Sequence, residues 1–485
     1  MLNYRIIARA FAGLIGLEGL LFLVCWLVGL GYGETHHSTW YIPIGICAVL
    51  SLILGLLGGK GPTRFERRDG FFIVTMVWLI YCTLGMLPFL FGGHLHRVSE
   101  AFFETMSGFT TTGSTTFTNI DALPHSILLW RSVTHWVGGM GIIFFTLALL
   151  PALGIGEQEL FTAEATGLKL GKLHSRVNTT AHYLWSTYLF VTIACAIAYR
   201  ICGMNTFDAI NHSFAAIATG GFSTHTANIA YFHSPAIEYV SVVFMFLGAT
   251  NFTLLYFVLF KRRFKLFWRD EELRLFILLI FGFTAICTLS QWWHSQDFTE
   301  HGFRESLFYV VSMMSTTGFT TENFMSWPHL TWISLLIVSI IGSCTGSTAG
   351  GIKVVRVLAG IKVVRNEIHH VLHPRSIRPL RINSDYITPE VLQSIFAFLC
   401  CFTVLMVIGV IVFVTLGYPV FDSLGLSISA YSNVGPGIGY SLGPLDSWSE
   451  LPDTGLWLSS FLMIAGRLEI FGLLLPFTPS FWRYN

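Results

Sequence analysis

Residues 315–321 read STTGFTT, five hydroxyl side chains crowded around Gly318. The apolar run from Leu307 to Met314 comes just before, and a short polar loop and a second apolar run come just after. The chain around it has 485 residues, 53% hydrophobic and only 11% charged. Aligned on the glycine, the segment ESLFYVVSMMSTTG (305–318) has three counterparts: EAFFETMSGFTTTG (100–113), DAINHSFAAIATGG (208–221) and DSLGLSISAYSNVG (422–435). Each begins with an acid (Glu100, Asp208, Glu305, Asp422), continues with a small residue and ends on glycine (Gly113, Gly221, Gly318, Gly435). A unit repeated about every hundred residues governs the fold, because one supersecondary element must then be used four times.

Between the copies, apolar runs of about 18 residues or more recur, the length that a bilayer requires and a soluble core does not. They are continuous rather than alternating, which selects helices over a closed barrel. The pattern predicts spans near 10–33, 39–59, 71–91, 127–150, 181–201, 237–260, 275–293, 331–370 (interrupted), 391–416 and 454–476. No cleavable signal peptide is expected, since the first apolar run exceeds a signal core and has no small-x-small site. With the N-terminus inside, 23 of the 28 lysines and arginines fall on cytoplasmic segments, which fixes the orientation by the positive-inside rule. Dispersed over short loops, these cations do not form a nucleic-acid surface. The nine cysteines are scattered without metal or disulfide spacing and read as packing residues.

Each copy lies between two spans on the external side. Its apolar part is about ten residues, roughly 15 Å as a helix and half a bilayer. It must enter and return, and non-helical backbone at that depth has to face protein or a water-filled path. The leading acid suits the positive helix end and its orphan N–H groups. The trailing Ser/Thr/Asn/Gly strand has free carbonyls, and four such strands around one axis make a ring that can replace an ion's water. Threonine hydroxyls can satisfy nearby backbone or add ligands. The expected fold is therefore an all-α polytopic membrane protein. It has four pseudo-symmetric span–pore loop–span repeats around one central pore, plus an N-terminal pair of spans. The expected divisions are 1–69 for that pair, then repeats at 70–150, 178–265, 273–372 and 388–485. Within the third, residues 342–351 (GSCTGSTAGG) are rich in glycine and hydroxyls, which weaken a helix and break the span, lining a cavity or making a close helix contact. Arg467 is an intramembrane charge and thus a functional candidate. Glu469, two residues on, faces another side of the helix.

The four copies, with GGFSTH (220–225), GSCTGSTAGGIKVVR (342–356), SNVGPGIG (432–439) and GRLEIF (466–471), resemble the Trk-type family of bacterial potassium-uptake membrane subunits (TrkH/TrkG), within the Trk/Ktr/HKT superfamily. The resemblance covers nearly the whole chain and implies a single-chain pore in the bacterial cytoplasmic membrane. It implies filter glycines at Gly113, Gly221, Gly318 and Gly435, with ion-coordinating backbone at Thr111, Thr112, Thr219, Gly220, Thr316, Thr317, Asn433 and Val434. Glycine at all four positions implies K⁺ as the transported ion, the alternative being a sodium or poorly selective cation transporter on the same scaffold. In the family the interrupted segment is an intramembrane gate, here Gly346, Ser347, Thr348, Ala349, Gly350 and Gly351. The family's arginine beneath the filter falls on Arg467. A homodimer, surrounding lipid and a cytoplasmic nucleotide-binding regulatory ring of the TrkA type are implied as partners. No enzyme signature is present: VGPGIGY (434–440) lacks a strand–helix nucleotide unit, and His369, His370 and His373 have no further metal ligands nearby. No bound cofactor is expected.

Overall fold

The computed structural model describes residues 2–59, 67–141, 177–296, 299–376, 378–383 and 385–483. Part of the predicted span 127–150 and the basic residues Lys60, Arg64, Lys169, Lys172 and Arg176 lie outside them. Apart from a two-residue antiparallel ribbon pairing Arg381–Ile382 with Asp385–Tyr386, the described secondary structure is helical. Six helices there are long and apolar enough to cross a membrane, and two bent pairs raise the number to as many as eight.

Two helices, Tyr4–Gly31 and Ser38–Gly58, form an N-terminal hairpin. It docks on the first unit: the Trp40 indole donates to Ser126 Oγ at 3.0 Å, and the Tyr81 hydroxyl to the Leu14 carbonyl at 2.9 Å. Four units of long helix, short buried helix and second helix follow, the second helix of the first unit being described over His125–Gly139. The short helices are Val98–Phe109, Thr206–Ile217, Glu300–Met314 and Val420–Tyr431. They are buried nearly all round, which fits helices enclosed by other helices. The first long helices of the units bury one face and leave apolar side chains outward, such as Phe281 at 63% exposure, as a bilayer allows and water penalises.

In the second, third and fourth units the second helix does not run straight. Pro235–Gly248 turns by 107° into Phe252–Leu259, and Asp453–Arg467 turns by 110° into Phe471–Phe477. The spans predicted as continuous at 237–260 and 454–476 are therefore bent. In the third unit His329–Ile341 stops at Gly342 and the chain resumes as Val354–Leu372, the interruption that the sequence predicts. The bends have local causes. Asn251 accepts from the Thr253 and Leu254 amides, so it caps a new helix inside the apolar run. Glu469 and Ile470 take positive φ of 52° and 64°, which no continuing helix permits.

Candidate ion-binding ring and the loop beneath it

All four short helices end four residues before their glycine, and in the same way. The amide of Thr112, Gly220, Thr317 and Val434 reaches back to the carbonyl of Ser107, Ala215, Ser312 and Ser429 at 2.8–2.9 Å. The preceding residue, Thr111, Thr219, Thr316 or Asn433, sits at φ 53–56°. This is the six-to-one Schellman closure with a left-handed residue after the cap. Threonine and asparagine stand where glycine is usual, a strained conformation of order 1–3 kcal/mol per residue that the surrounding packing must hold. The next residue but one is the glycine, with φ of 87°, 82°, 76° and 107° for Gly113, Gly221, Gly318 and Gly435.

The glycines also close a circle. A Cβ on Gly113 would lie 2.1 Å from the Gly220 carbonyl oxygen, and one on Gly221 would lie 2.1 Å from that of Thr317. One on Gly318 would lie 2.0 Å from that of Val434, and one on Gly435 2.4 Å from that of Thr112. Each glycine thus abuts the carbonyl just before the glycine of the next unit, and the fourth returns to the first. Positive φ and this approach together demand a residue without a side chain. Gly113, Gly318 and Gly435 face a cavity also lined by His225, Asn228, Asp446 and Trp448.

Several hydroxyls brace the ring. Thr112 Oγ1 meets Thr110 Oγ1 at 2.8 Å, and Thr317 Oγ1 meets Ser315 Oγ at 2.7 Å. Asn433, where the fourth copy departs from Thr-Thr, sends Nδ2 to Thr112 Oγ1 at 3.0 Å and to the Met463 carbonyl at 2.9 Å, so it ties the last strand to the first. The leading acids do not cap the N-termini as expected; Asn205 and Thr299 cap two of them. Asp208 instead accepts from Thr224 Oγ1 at 2.6 Å, and Asp422 from the amides of Tyr440 and Ser441 at 3.0 and 2.8 Å. Glu305 accepts from the Thr321 hydroxyl. These acids hold the returning strand against its own helix. A second brace sits nine residues before the glycine: Glu104 takes the Thr116 amide at 2.8 Å, His212 pairs with Ser223 Oγ at 3.0 Å, and the Tyr309 hydroxyl takes the Thr321 amide at 2.9 Å. Leu426 stands there in the fourth copy. The sequence reading missed these three; aligning the copies at that position would have exposed them.

Residues 343–353 pass under the short-helix ends. Thr316 Oγ1 accepts from the Gly350 amide at 2.8 Å. Thr348 Oγ1 lies 2.9 Å from the Ile217 carbonyl and 3.1 Å from that of Gly248. A Cβ on Gly350 would approach the Ser432 carbonyl to 2.3 Å, and one on Gly346 the Asn251 amide to 3.0 Å. Ser347 Oγ bonds within the loop to Ser343 Oγ and the Cys344 carbonyl. The buried Lys353 ammonium donates to the Ala349 carbonyl, and Gly351, at φ 76°, packs on Gly342. Arg467 donates to the Thr348 carbonyl and, at 2.6 and 2.9 Å, to those of Gly138 and Gly139. It therefore joins the loop to the end of the first unit's second helix. Glu469 does not face Arg467; it pairs with Arg356 just beyond the loop, a partnership that the sequence reading did not find.

Apolar spans around a closed ring of backbone carbonyls define a polytopic membrane protein built to handle a cation. The model of the TrkH cation transport protein family matches residues 37–484. The chain is 36% identical to the Trk system potassium uptake protein TrkH of Escherichia coli K12, over 98% of this chain and 99% of that one. It is 35% identical to the same organism's TrkG, over 99% of each. The crystal structure of the potassium transporter TrkH from Vibrio parahaemolyticus superposes with a TM-score of 0.88 at 34% identity, covering 99% of this chain and 100% of that one. The chain belongs to the TrkH family of cation transport proteins.

Proposed function

We propose that this protein takes up K⁺ across the bacterial cytoplasmic membrane. The observation that carries the reading is the closed circle of Gly113, Gly221, Gly318 and Gly435, each against the carbonyl of the next unit. Thr111 and Thr112, Thr219 and Gly220, Thr316 and Thr317, and Asn433 and Val434 present their carbonyls to the dehydrated ion, and glycine at all four filter positions favours K⁺ over Na⁺. The ion is cargo, and no enzymatic step accompanies it. Below the ring the short helices point their carbonyl ends, the negative ends of their dipoles, toward the path. Residues 346–351 and Arg467 close that path: the guanidinium adds a positive charge on the ion's route and ties the loop to carbonyls of another unit. An inside-negative potential supplies about 2.3 kcal/mol per charge per 100 mV, enough to drive entry without an internal ATPase.

The ring face is external and the N-terminus cytoplasmic, the orientation that places most lysines and arginines inside. The membrane subunit works as a homodimer in lipid with a cytoplasmic nucleotide-binding ring of the TrkA type, and with no nucleic acid. The Trk system names of the relatives support an assembly of more than one component. The test is radiolabelled Rb⁺ uptake into proteoliposomes under an inside-negative potential, with K⁺ or Na⁺ as competitor. Block by K⁺ and not by Na⁺ is the expected result. Equal block by Na⁺ would overturn the reading.

A further inference from the structure

Behind the ring, Arg131 and Glu104 form an ion pair of 2.9 Å with both side chains almost wholly buried, at 1% and 0% exposure. Arg131 spans two units. Its Nη1 donates to the Ser223 carbonyl at 2.9 Å and its Nη2 to Thr115 Oγ1 at 3.3 Å. Its guanidinium lies over the ring of Phe222, the residue after Gly221, at 4.1 Å, and near that of Phe117 at 5.6 Å. Glu104 takes the Thr115 hydroxyl at 3.0 Å and the Thr116 amide at 2.8 Å. Every one of these contacts falls on the strand that follows Gly113 or on the strand that follows Gly221. The pair thus straddles the seam at which Gly113 meets the Gly220 carbonyl.

A buried ion pair is weak support for stability, since a well-packed apolar pair does as well or better. What it supplies is geometry: a planar fork with five donors fixes several acceptors at once. At the same position in the second and third copies the brace is an aromatic ring, His212 or Tyr309, that holds the strand of its own unit. Only Arg131 of these bonds the strands of two units. We infer that Glu104 and Arg131 are positioning residues for ion selection: they fix the first filter strand against the second, and discrimination between K⁺ and Na⁺ depends on them although neither touches the ion. This rests on the glycine circle being the filter, as proposed above.

The experiment measures the ratio of Na⁺ to K⁺ concentrations that halve Rb⁺ uptake, for the unaltered protein, Arg131→Lys, Glu104→Gln and the double variant Glu104→Met/Arg131→Met. The double variant leaves no unpaired buried charge and so avoids the main folding penalty. Rb⁺ transport is expected to persist while the ratio falls by about tenfold in the double variant and in Arg131→Lys, whose single ammonium cannot bridge both strands. An unchanged ratio in the double variant overturns the inference and leaves the glycine circle standing. An unaltered protein that shows no preference for K⁺ overturns the circle itself. If none of the three variants is monodisperse after purification, the pair is a folding requirement and the inference also fails.

Discussion

At the scale of single residues, the ring is built from contacts too close for any side chain. Gly318→Ala puts a methyl within 2.0 Å of the Val434 carbonyl on backbone already at φ 76°, where that neighbour is main chain and the next, the Pro436 ring at 2.7 Å, is tied to main chain; neither can swing aside. Uptake is expected to drop at least tenfold, against a change under twofold for Gly31→Ala, whose Cβ meets nothing within 4 Å. Rb⁺ flux per reconstituted protein checks both. Above the ring, His225 joins the units by a different chemistry. Its Nδ1 lies 2.8 Å from Asp121 and its Nε2 3.0 Å from Asp208; Tyr231 stacks on it at 3.5 Å and Phe232 stands edge-on. Burial alone would lower its pKa, but the hydrogen bonds to Asp208 and then Asp121 outweigh that and raise it above 6.5. Asp121, which burial would raise, is held below its ordinary value by hydrogen bonds from Thr226 and His225. The signs follow from linkage: the imidazolium's contribution is complete below pH about 6.5 and is lost as pH rises through the raised pKa, while that of Asp121 is lost only as pH falls through its lowered one. Thermal stability in detergent is therefore expected to fall on raising the pH above 6.5, and His225→Gln should flatten that slope. A slope that survives the substitution would assign it to another group. The glycines were legible in the sequence because they recur in register. His225 was visible only as part of GGFSTH, since its carboxylate partners lie 104 and 17 residues away.

At the scale of elements, the short helices were readable and the bends were not, for a physical reason. A short helix announces itself through length: about ten apolar residues between polar ends cannot span. The break at 342–351 also shows, because glycine, serine and threonine make poor helix interiors. The bend at 249–251 is set by one asparagine cap, and that at 468–470 by two positive φ values; a few polar residues leave the mean hydropathy of each whole run high enough to read as one span. The loop of the third unit is nevertheless secured from several sides at once, so its release should be separable residue by residue. Arg467→Ala removes three donors to carbonyls of Thr348, Gly138 and Gly139 together with a charge beneath the ring. Uptake in the absence of any regulatory subunit is expected to rise by at least tenfold. Thr348→Val removes one hydroxyl near the Ile217 and Gly248 carbonyls, about 1 kcal/mol, and should raise it less than tenfold. Rb⁺ uptake by the purified membrane subunit alone orders the two, and a smaller rise for Arg467→Ala than for Thr348→Val would show that the arginine does not hold the closed state.

At the scale of the whole molecule, the fourfold design was legible because repetition is a property of sequence, whereas the ties between units join distant residues and show no local pattern. Asn433 to Thr112, Arg131 to Ser223 and Arg467 to Gly138 each cross from one copy to another, and each needs the folded circle before the partners meet. Arg356 and Glu469 are the clearest case, because they connect the two interruptions themselves. Arg356 lies two residues into the helix that resumes after the third unit's loop, and it rests on the ring of Phe398 from the fourth unit at 4.0 Å. Its guanidinium reaches Glu469, which sits at φ 52° inside the fourth unit's bend. If the loop and the bend move as one body when the path opens, the pair is intact before and after and its loss should leave the closed state unaltered. If the loop moves away from the bend, the pair holds the path shut. The strained Glu469 favours the second case, since a left-handed non-glycine residue persists only where its surroundings hold it there. Arg356→Ala and Glu469→Ala should then each raise subunit-free uptake, and the double variant should rise no further than either alone, the non-additivity of a single broken contact. Effects that multiply in the double variant would mean that the two residues act on separate parts, and the loop and the bend would have to be treated as independent gates.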